Sequence, residues 1–130
     1  MSHFVQIRTQ LRERACLLRA LEDLELRVEE GENLVVRGDA RKSETAEIVV
    51  RTETERADIG FRKAGDSYEL VADWFRLEAE STLRRGTFLE EVQRRYSYHL
   101  VIDQAKEQNL IVEEETLENG EIVLLLSERG

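Results

Sequence analysis

The stretch ADIGFRKAGDSYELVADWF, residues 57–75, decides the fold. Apolar and polar residues alternate on both sides of its Ala-Gly-Asp segment, which is the pattern of two strands joined by a tight turn. If Phe61 pairs with Tyr68 across this turn, Ile59 lies opposite Leu70, and the four side chains share one face of the strand pair. We expect that face to belong to the core.

The opposite face of these strands carries acidic residues and a glycine: Asp58, Gly60, Glu69, Val71 and Asp73. Gly60 leaves a gap, which suits the approach of a ligand or of another backbone segment. We expect Asp58 and Asp73 to lie near each other, where they have the charge to bind a cation or an arginine of a partner. The interpretation that we favour is a solvated sheet face, with Gly60 accommodating a twist or a covering loop, because antiparallel sheets commonly have one face in water.

The second strand runs into the only tryptophan of the chain. Trp74 and Phe75 are predicted to close the end of the core where the chain leaves the sheet, with Asp73 as a cap or turn acceptor beside them. Because an indole ring is apolar but carries an N–H donor, Trp74 and Phe75 are also candidates for contact with a partner.

Upstream of this pair the pattern predicts further strands and one helix. Residues 3–9 alternate as a strand, and residues 10–24 place their leucines on one arc of an amphipathic helix. Gly31 lies at a predicted turn between two short strands. AEIVVRT at 46–52 is the first strand of a three-strand antiparallel meander that residues 57–73 complete.

A second helix and a hairpin are predicted downstream. Thr87 and Glu90 have the spacing of a capping box, so a long helix is expected to begin there and to run to about residue 108, after a connection or short helix at 76–85. In the closing hairpin, Asn119 and Gly120 favour a type I′ turn that sets Glu115 opposite Leu124. The glutamate-rich strand is predicted at an edge, where its charge discourages unwanted pairing, and the strand ending LLL, with Leu124 and Leu126, in the interior. The alternative for the glutamates is an acidic docking edge for a basic partner.

The predicted order of elements is therefore β-α-β-β-β-β-β-α-β-β. Strands joined mostly by hairpins, together with two amphipathic helices, indicate an α+β protein in which an antiparallel sheet has both helices packed on one face, in two layers. A length of 130 residues, without repeats or linkers, predicts a single domain over residues 1–130.

Composition narrows the classes of function. The chain has 28 acidic and 19 basic residues and a net charge of −9, which argues against nucleic-acid binding because an acidic surface repels phosphates. A single cysteine permits no internal disulfide and fits a reducing compartment. Neither a signal peptide nor a membrane-spanning run is apparent, so we expect a soluble, cytoplasmic protein that does not act in a membrane.

The long helix carries two apolar stripes on roughly opposite sides. One contains Phe88, Val92 and Tyr96, with His99 and Asp103 inside it. At a spacing of i and i+4, His99 and Asp103 are expected to touch as a structural polar pair in or near the core. The pairing of an imidazole with a carboxylate also occurs in general-base catalysis, but no nucleophile or set of metal ligands accompanies it.

The second stripe contains Tyr98, Val101, Ile102 and Ala105. Two stripes on one helix cannot both meet one flat sheet, so the second needs either a covering segment or a partner. Residues 76–85 are the nearby segment long enough to cover it. If they leave it open, Tyr98, Val101 and Ile102 are candidates for a docking surface.

Four blocks of the sequence resemble one family: MSHF at 1–4, ADIGF at 57–61, YELVADWF at 68–75 and YSYHLVIDQAKEQ at 96–108. The family consists of small proteins first described as a hypothetical chloroplast reading frame and also found in cyanobacteria and other bacteria. The resemblance implies one compact domain in the cytoplasm or the chloroplast stroma. It implies no reaction, and it suggests an AAA-type ATPase as a partner.

Two functional hypotheses follow. The first is a non-enzymatic, acidic protein-interaction or regulatory module that acts on a protein partner, with an AAA-type ATPase as the candidate. The second is a small-ligand-binding protein or enzyme with a pocket near His99, Asp103, Tyr96 and Trp74. Neither hypothesis includes a cofactor or a metal ion, and the oligomeric state is left open.

Overall fold

The computed structural model describes residues 3–39 and 41–129. Within these residues the chain forms seven strands and three helices. In chain order they are β1 (Val5–Arg8), α1 (Arg14–Asp23), β2 (Arg27–Val36), β3 (Glu44–Arg51), β4 (Asp58–Ala64), β5 (Ser67–Ala72), α2 (Trp74–Glu80), α3 (Arg85–Glu107), β6 (Leu110–Thr116) and β7 (Ile122–Glu128).

The main sheet has five strands in the order β1-β5-β4-β3-β2, and every neighbouring pair is antiparallel. The amino-terminal strand β1 lies beside β5, where Val5 pairs with Ala72 and Ile7 with Leu70. Hairpins connect the other four strands, as the short polar turns between them predict. The α+β class with antiparallel sheets is confirmed.

The register between β4 and β5 differs from the predicted one by two residues. Phe61 pairs with Leu70, and Lys63 with Tyr68, because the turn consists of Gly65 and Asp66 alone. Gly65 has a φ of +69°, a conformation that glycine adopts at low cost. A shift of two residues leaves every side chain on its predicted face, so the apolar face still belongs to the core.

One strand, β2, replaces the two short strands predicted around Gly31. It pairs with β3 along its length, and Gly31 lies in a bulge between Glu30 and Leu34. Within the bulge Asn33 has a φ of +53°, a region that asparagine tolerates better than most residues. A bulge bends the strand locally without ending it. A glycine is compatible with both a bulge and a turn, so the sequence does not distinguish the two.

All three helices contribute to the core on one face of the main sheet. The fully buried side chains there come from the strands and from α1, α2 and α3: Leu17, Leu21, Ile48, Val50, Ile59, Phe61, Leu70, Leu77 and Val92. Removing a leucine or phenylalanine of this size from water contributes about 1.5–3 kcal/mol. The shared core explains why the helices lie on the same side of the sheet.

Both long helices begin at positions other than those predicted. The Thr9 hydroxyl donates to the Tyr68 carbonyl at 2.6 Å and accepts from the Leu11 N–H at 3.1 Å, so this segment is tied to the sheet and α1 begins only at Arg14. The helix α3 begins two residues before Thr87, and the Arg85 N–H donates to the Glu78 carboxylate at 3.1 Å. The capping-box prediction at Thr87 is therefore wrong.

The last two strands form a separate two-stranded sheet that packs on α3. Its loop spans residues 118–120, where Gly120 has a φ of +87° but Asn119 does not have a positive φ, so the predicted type I′ turn is wrong. The longer loop sets Glu114, rather than Glu115, opposite Leu124. Leu126 is 47% exposed, so the interior position predicted for it is also wrong.

Candidate functional site

The acidic face of β4 and β5 is occupied by the chain itself. Asp58 is fully buried at the start of β4. Its carboxylate accepts from the Arg37 backbone N–H at 2.8 Å, from the Arg37 guanidinium at 2.8 and 2.9 Å, and from Arg51 at 2.8 Å. These bonds raise the pKa of Arg37. The chain itself thus supplies arginines to Asp58, where a cation or an arginine of a partner was one expectation.

The gap at Gly60 is filled by the end of β2. A Cβ atom on Gly60 would lie 2.6 Å from Val36 Cγ2 and 3.0 Å from the Cβ of Ala46. Val36, Ala46 and Val49 form a second, smaller core cluster on this face. This face is therefore neither solvated nor open to a ligand at Gly60. Asp73, which follows β5, is also buried. Its carboxylate accepts from the Arg76 N–H at 3.1 Å as the cap of α2.

Trp74 and Phe75 have different environments. Trp74 is 3% exposed and its ring lies 5.8 Å from that of Phe88, so it closes the end of the core and is not accessible to a partner. Within the described part of the chain its indole N–H has no hydrogen-bond partner. Phe75, the next residue, is 60% exposed. Of the two candidate contacts, only Phe75 remains available at the surface.

His99 and Asp103 pair with α1 instead of with each other. The Asp23 carboxylate binds His99 Nε2 at 2.6 Å and Arg95 Nη2 at 2.8 Å. Arg19 donates to both oxygens of Asp103, at 3.0 and 2.9 Å. Both residues therefore join α3 to α1, a contact between distant segments that a helical spacing of four does not reveal.

The pKa values of the two aspartates follow from these bonds. Partial burial opposes ionisation of Asp23, but the hydrogen bonds from His99 and Arg95 outweigh it and lower the pKa of Asp23. At Asp103 burial is again outweighed, chiefly by the hydrogen bond from Arg19, and the pKa of Asp103 is also lowered. Both carboxylates are charged at neutral pH, as expected of interhelical ion pairs.

The pocket imagined near His99, Asp103, Tyr96 and Trp74 does not match the observed arrangement. Tyr96 and Trp74 lie in the core, whereas His99 and Asp103 lie at the α1–α3 contact. The Tyr96 hydroxyl accepts from the backbone N–H groups of residues 12 and 13, both at 3.0 Å, just before α1 begins. Tyr96, His99 and Asp103 therefore make separate structural bonds, whereas Trp74 packs in the core.

Cys16 also belongs to the core. It is 2% exposed, and its Sγ lies 3.5 Å from the Asp103 carboxylate. Burial, followed by that hydrogen bond, raises the pKa of the Cys16 thiol. A thiol that stays protonated at neutral pH is a poor nucleophile.

The second stripe of α3 faces β6 and β7, not the segment at 76–85. The Tyr98 hydroxyl donates to the Glu114 carboxylate at 2.7 Å, which raises the pKa of Tyr98. The Arg95 guanidinium lies 4.5 Å from the centre of the Tyr98 ring. Ala105 is 2% exposed, whereas Val101 and Ile102 are half-buried.

A groove of about 430 Å³ remains between α3 and the hairpin. We call it the hairpin groove, and its lining residues are Arg94, Ser97, Tyr98, Val101, Glu121, Ile122 and Leu124. Its walls contain two of the predicted docking residues, Tyr98 and Val101. The hairpin residues were not predicted as part of a site, although the run of five apolar residues in β7 is a signal that indicates an unusual strand.

Two features of the described residues bear on the kind of site. Within residues 3–39 and 41–129, no group of three or more His, Cys, Asp or Glu side chains is arranged to hold a metal ion. Over the same residues, no helix is both long enough and apolar enough to span a bilayer.

The fold and the surface together define a small α+β protein with a helix-covered antiparallel sheet and a partly exposed C-terminal hairpin. Comparison with known protein families identifies one family that the chain matches. Residues 20–125 match the family described as "Protein of unknown function (DUF1257)", and the chain belongs to it. The match includes the end of α1, all of α3 and most of the hairpin.

Two relatives extend the similarity to almost the whole chain. The chain is 28% identical over 127 residues to "Uncharacterized protein ycf35" of Cyanophora paradoxa, covering 97% of this chain and 96% of the relative. It is 32% identical to the protein of the same description from Guillardia theta, with the same coverage. No solved structure is significantly similar to the chain.

Proposed function

We propose that this chain is a non-enzymatic protein-interaction module that docks a partner protein on its C-terminal hairpin. The observation that carries the proposal is β7, where residues 122–126 are all apolar and Leu125 and Leu126 are 54% and 47% exposed. Among the described residues β7 pairs with β6 alone. An unpaired apolar edge is a template to which another chain adds a strand.

The other outer strands carry features that discourage such pairing. The exposed side chains of β6 include Glu113, Glu114 and Glu115. The outer strand β2 of the main sheet has charged residues and a bulge, and β1 is only four residues long. Charge, bulges and short length all protect an edge. The run from Ile122 to Leu126 lacks this protection, which favours a functional role for it.

The occupant we propose is a partner protein that supplies an extended segment with apolar and basic residues. Apolar side chains would pack on Leu125 and in the hairpin groove, while basic ones would meet the glutamates of β6. Glu113 lies directly opposite Leu125 in the hairpin, so the two kinds of contact are adjacent. A second copy of the chain is less suitable, because it would bring together two molecules of net charge −9.

The AAA-type ATPase suggested by the family resemblance is the first candidate for this partner. We place the module in the cytoplasm, or in the stroma where a plastid encodes it. An acidic surface with one apolar strand edge is suited to recognising an exposed strand on a larger basic protein.

Leu125→Lys tests the docking surface, and Ala15→Lys is its control. Both residues are apolar and exposed, and Ala15 lies in α1 outside the hairpin and its groove, so the two changes add the same charge at different surfaces. Each tagged variant is purified from the native host beside the wild type, and retained proteins are identified by mass spectrometry. Binding of each retained protein, and of the host AAA-type ATPase, is then measured with purified components.

We expect a partner that binds the wild type and the control but binds the Leu125 variant at least about tenfold more weakly, the usual scale of a central interface residue. Thermal unfolding should give similar midpoints for the two variants. Equal binding by both variants contradicts the proposal. Dissociation of a wild-type dimer by Leu125→Lys, seen by light scattering, would assign the strand edge to a second copy and would also overturn it.

A further inference from the structure

We infer a binding site for a small phosphate-bearing ligand in a groove beside the end of β2, remote in sequence from the hairpin. The groove has a volume of about 550 Å³. Five cationic side chains and two acidic ones contribute to its lining, and we call it the basic groove: Arg37, Arg41, Lys42, Arg56, Arg76, Asp39 and Glu55. This excess of cations is unexpected in a chain whose net charge is −9.

The cations converge from separate segments of the chain. Arg37 follows β2, Arg41 and Lys42 precede β3, Arg56 lies between β3 and β4, and Arg76 is in the first turn of α2. A run of charge along one segment is commonly a solvated surface. Here the tertiary fold assembles the charge, because the five cations line one groove although they come from four separate segments.

Four of the five cations lie at long distances from their nearest carboxylates. The separations are 3.4 Å for Arg41, 3.3 Å for Lys42, 3.5 Å for Arg56 and 3.9 Å for Arg76. Ion pairs elsewhere in the molecule are shorter, for example 2.6 Å between Arg62 and Glu44 and 2.8 Å between Arg95 and Asp23. Strong charge-assisted hydrogen bonds fall in that shorter range, so the groove cations retain donors for a further anion.

The fifth cation is held in place. Arg37 makes two hydrogen bonds to Asp58, at 2.8 and 2.9 Å, and Asp58 is in turn fixed by Arg51 and by full burial. The Arg37 side chain is still 39% exposed. A guanidinium that a buried carboxylate holds in place, while part of its side chain stays exposed, is preorganised for an anion.

The shape and the charge together favour a phosphate ligand of moderate size. Guanidinium groups match the geometry of phosphate oxygens, and the Ser43 side chain on the rim adds a hydroxyl group. The volume is in the range of small-molecule sites. Val35 and Val36 contribute an apolar wall, which suits a phosphate attached to an organic group. The net charge of −9 disfavours a long polyanion such as nucleic acid.

Isothermal titration of the full chain with pyrophosphate and with ADP tests the site. The test variant is Arg41→Gln with Arg56→Gln, since these side chains are 70% and 65% exposed and should not be needed for folding. The control is Arg8→Gln with Arg12→Gln, which changes two exposed arginines outside both grooves and gives the same net charge.

At low ionic strength we expect the wild type and the control to bind at least one probe with similar affinity, and the test variant to bind it at least about tenfold more weakly, as loss of two charge-assisted contacts implies. Thermal unfolding should confirm that both variants are folded. Failure of the wild type to bind either probe overturns the inference. An equal loss in the control also overturns it, because binding would then reflect net charge alone. None of these outcomes depends on docking at the hairpin.

Discussion

At the scale of single residues, Gly60 shows how a strand position can require the absence of a side chain. We predict that Gly60→Ala destabilises the fold by about 1–3 kcal/mol, the usual cost of overpacking a closed core. The added Cβ would lie only 2.6 Å from Val36 Cγ2. The measurement is the free energy of unfolding by urea.

Gly86→Ala is the matched control for this change. A Cβ at Gly86 meets nothing within 4 Å, and alanine favours the helix that contains it, so this variant should be as stable as the wild type or more so. Adding Val36→Ala to Gly60→Ala should recover part of the loss, since it removes the clashing methyl groups. Equal effects of the two glycine changes would contradict the packing argument.

Asp58 is the other residue whose role depends on complete burial. We predict that Asp58→Asn costs about 2–3 kcal/mol, because it removes the buried charge to which the partly exposed guanidinium groups of Arg37 and Arg51 donate. Asp66→Asn, in the exposed turn between β4 and β5, should change stability by less than about 0.5 kcal/mol. If chemical denaturation finds the two changes alike, the buried cluster is not a main support of the sheet.

At the scale of elements, the α1–α3 contact depends on Asp23. We predict that Asp23→Asn lowers stability near pH 7 by about 1–2 kcal/mol, because it weakens charge-assisted bonds to Arg95 and His99 that are partly exposed. Glu22→Gln, on the neighbouring exposed position, should have little effect.

The difference in unfolding free energy between Asp23→Asn and the wild type should depend on pH. The folded-state pKa of Asp23 is lowered, so its contribution is fully present above the unfolded value of about 3.9 and is lost as the pH falls through the lower folded value. Urea unfolding at a series of pH values should show a difference at neutral pH that shrinks below about pH 4. A difference that persists unchanged in acid would mean that the charge on Asp23 is not the cause.

How far the sequence predicts these elements depends on the range of the interaction. The faces of β4 and β5 are predictable because alternation has a period of two, and even a register error of two residues preserves them. The partners of His99 and Asp103 are not, because Asp23 and Arg19 are separated from them by 76 and 84 residues. A helix wheel shows that a side chain needs a partner, but not which distant segment provides it.

The candidate sites also combine features that the sequence predicts with features that it does not. The second stripe on α3, with Tyr98 and Val101, is predictable from helical periodicity, and so is its need for a cover. The identity of that cover is not, since both the segment at 76–85 and the hairpin are long enough to reach it. The basic groove cannot be predicted from the sequence either, because its cations come together only when α2 and the loops beside β3 pack in the folded chain.

At the scale of the whole molecule, the hairpin is an addition to a core that does not need it. The buried residues of the main core lie between Leu11 and Tyr96, and those of the smaller cluster on the other face lie between Val36 and Val49. No described residue of β6 or β7 belongs to either cluster. A two-stranded sheet alone is marginally stable in water, so the hairpin depends on α3 more than α3 depends on it.

We therefore predict that a chain ending at Gln108 folds with its main sheet intact. It loses the Tyr98–Glu114 bond and the cover over Ala105, which should lower the free energy of unfolding by only about 1–3 kcal/mol, the scale of a few partly exposed contacts. Circular dichroism and thermal unfolding of the shortened chain measure this. In the full-length chain, hydrogen exchange should be faster at the amides of β6 and β7 than at those of β4 and β5, because local opening of the hairpin leaves the core closed. An unfolded truncated chain, or equally slow exchange in both sheets, would mean that the hairpin is an integral part of one cooperative unit and that its exposed leucines serve folding rather than docking.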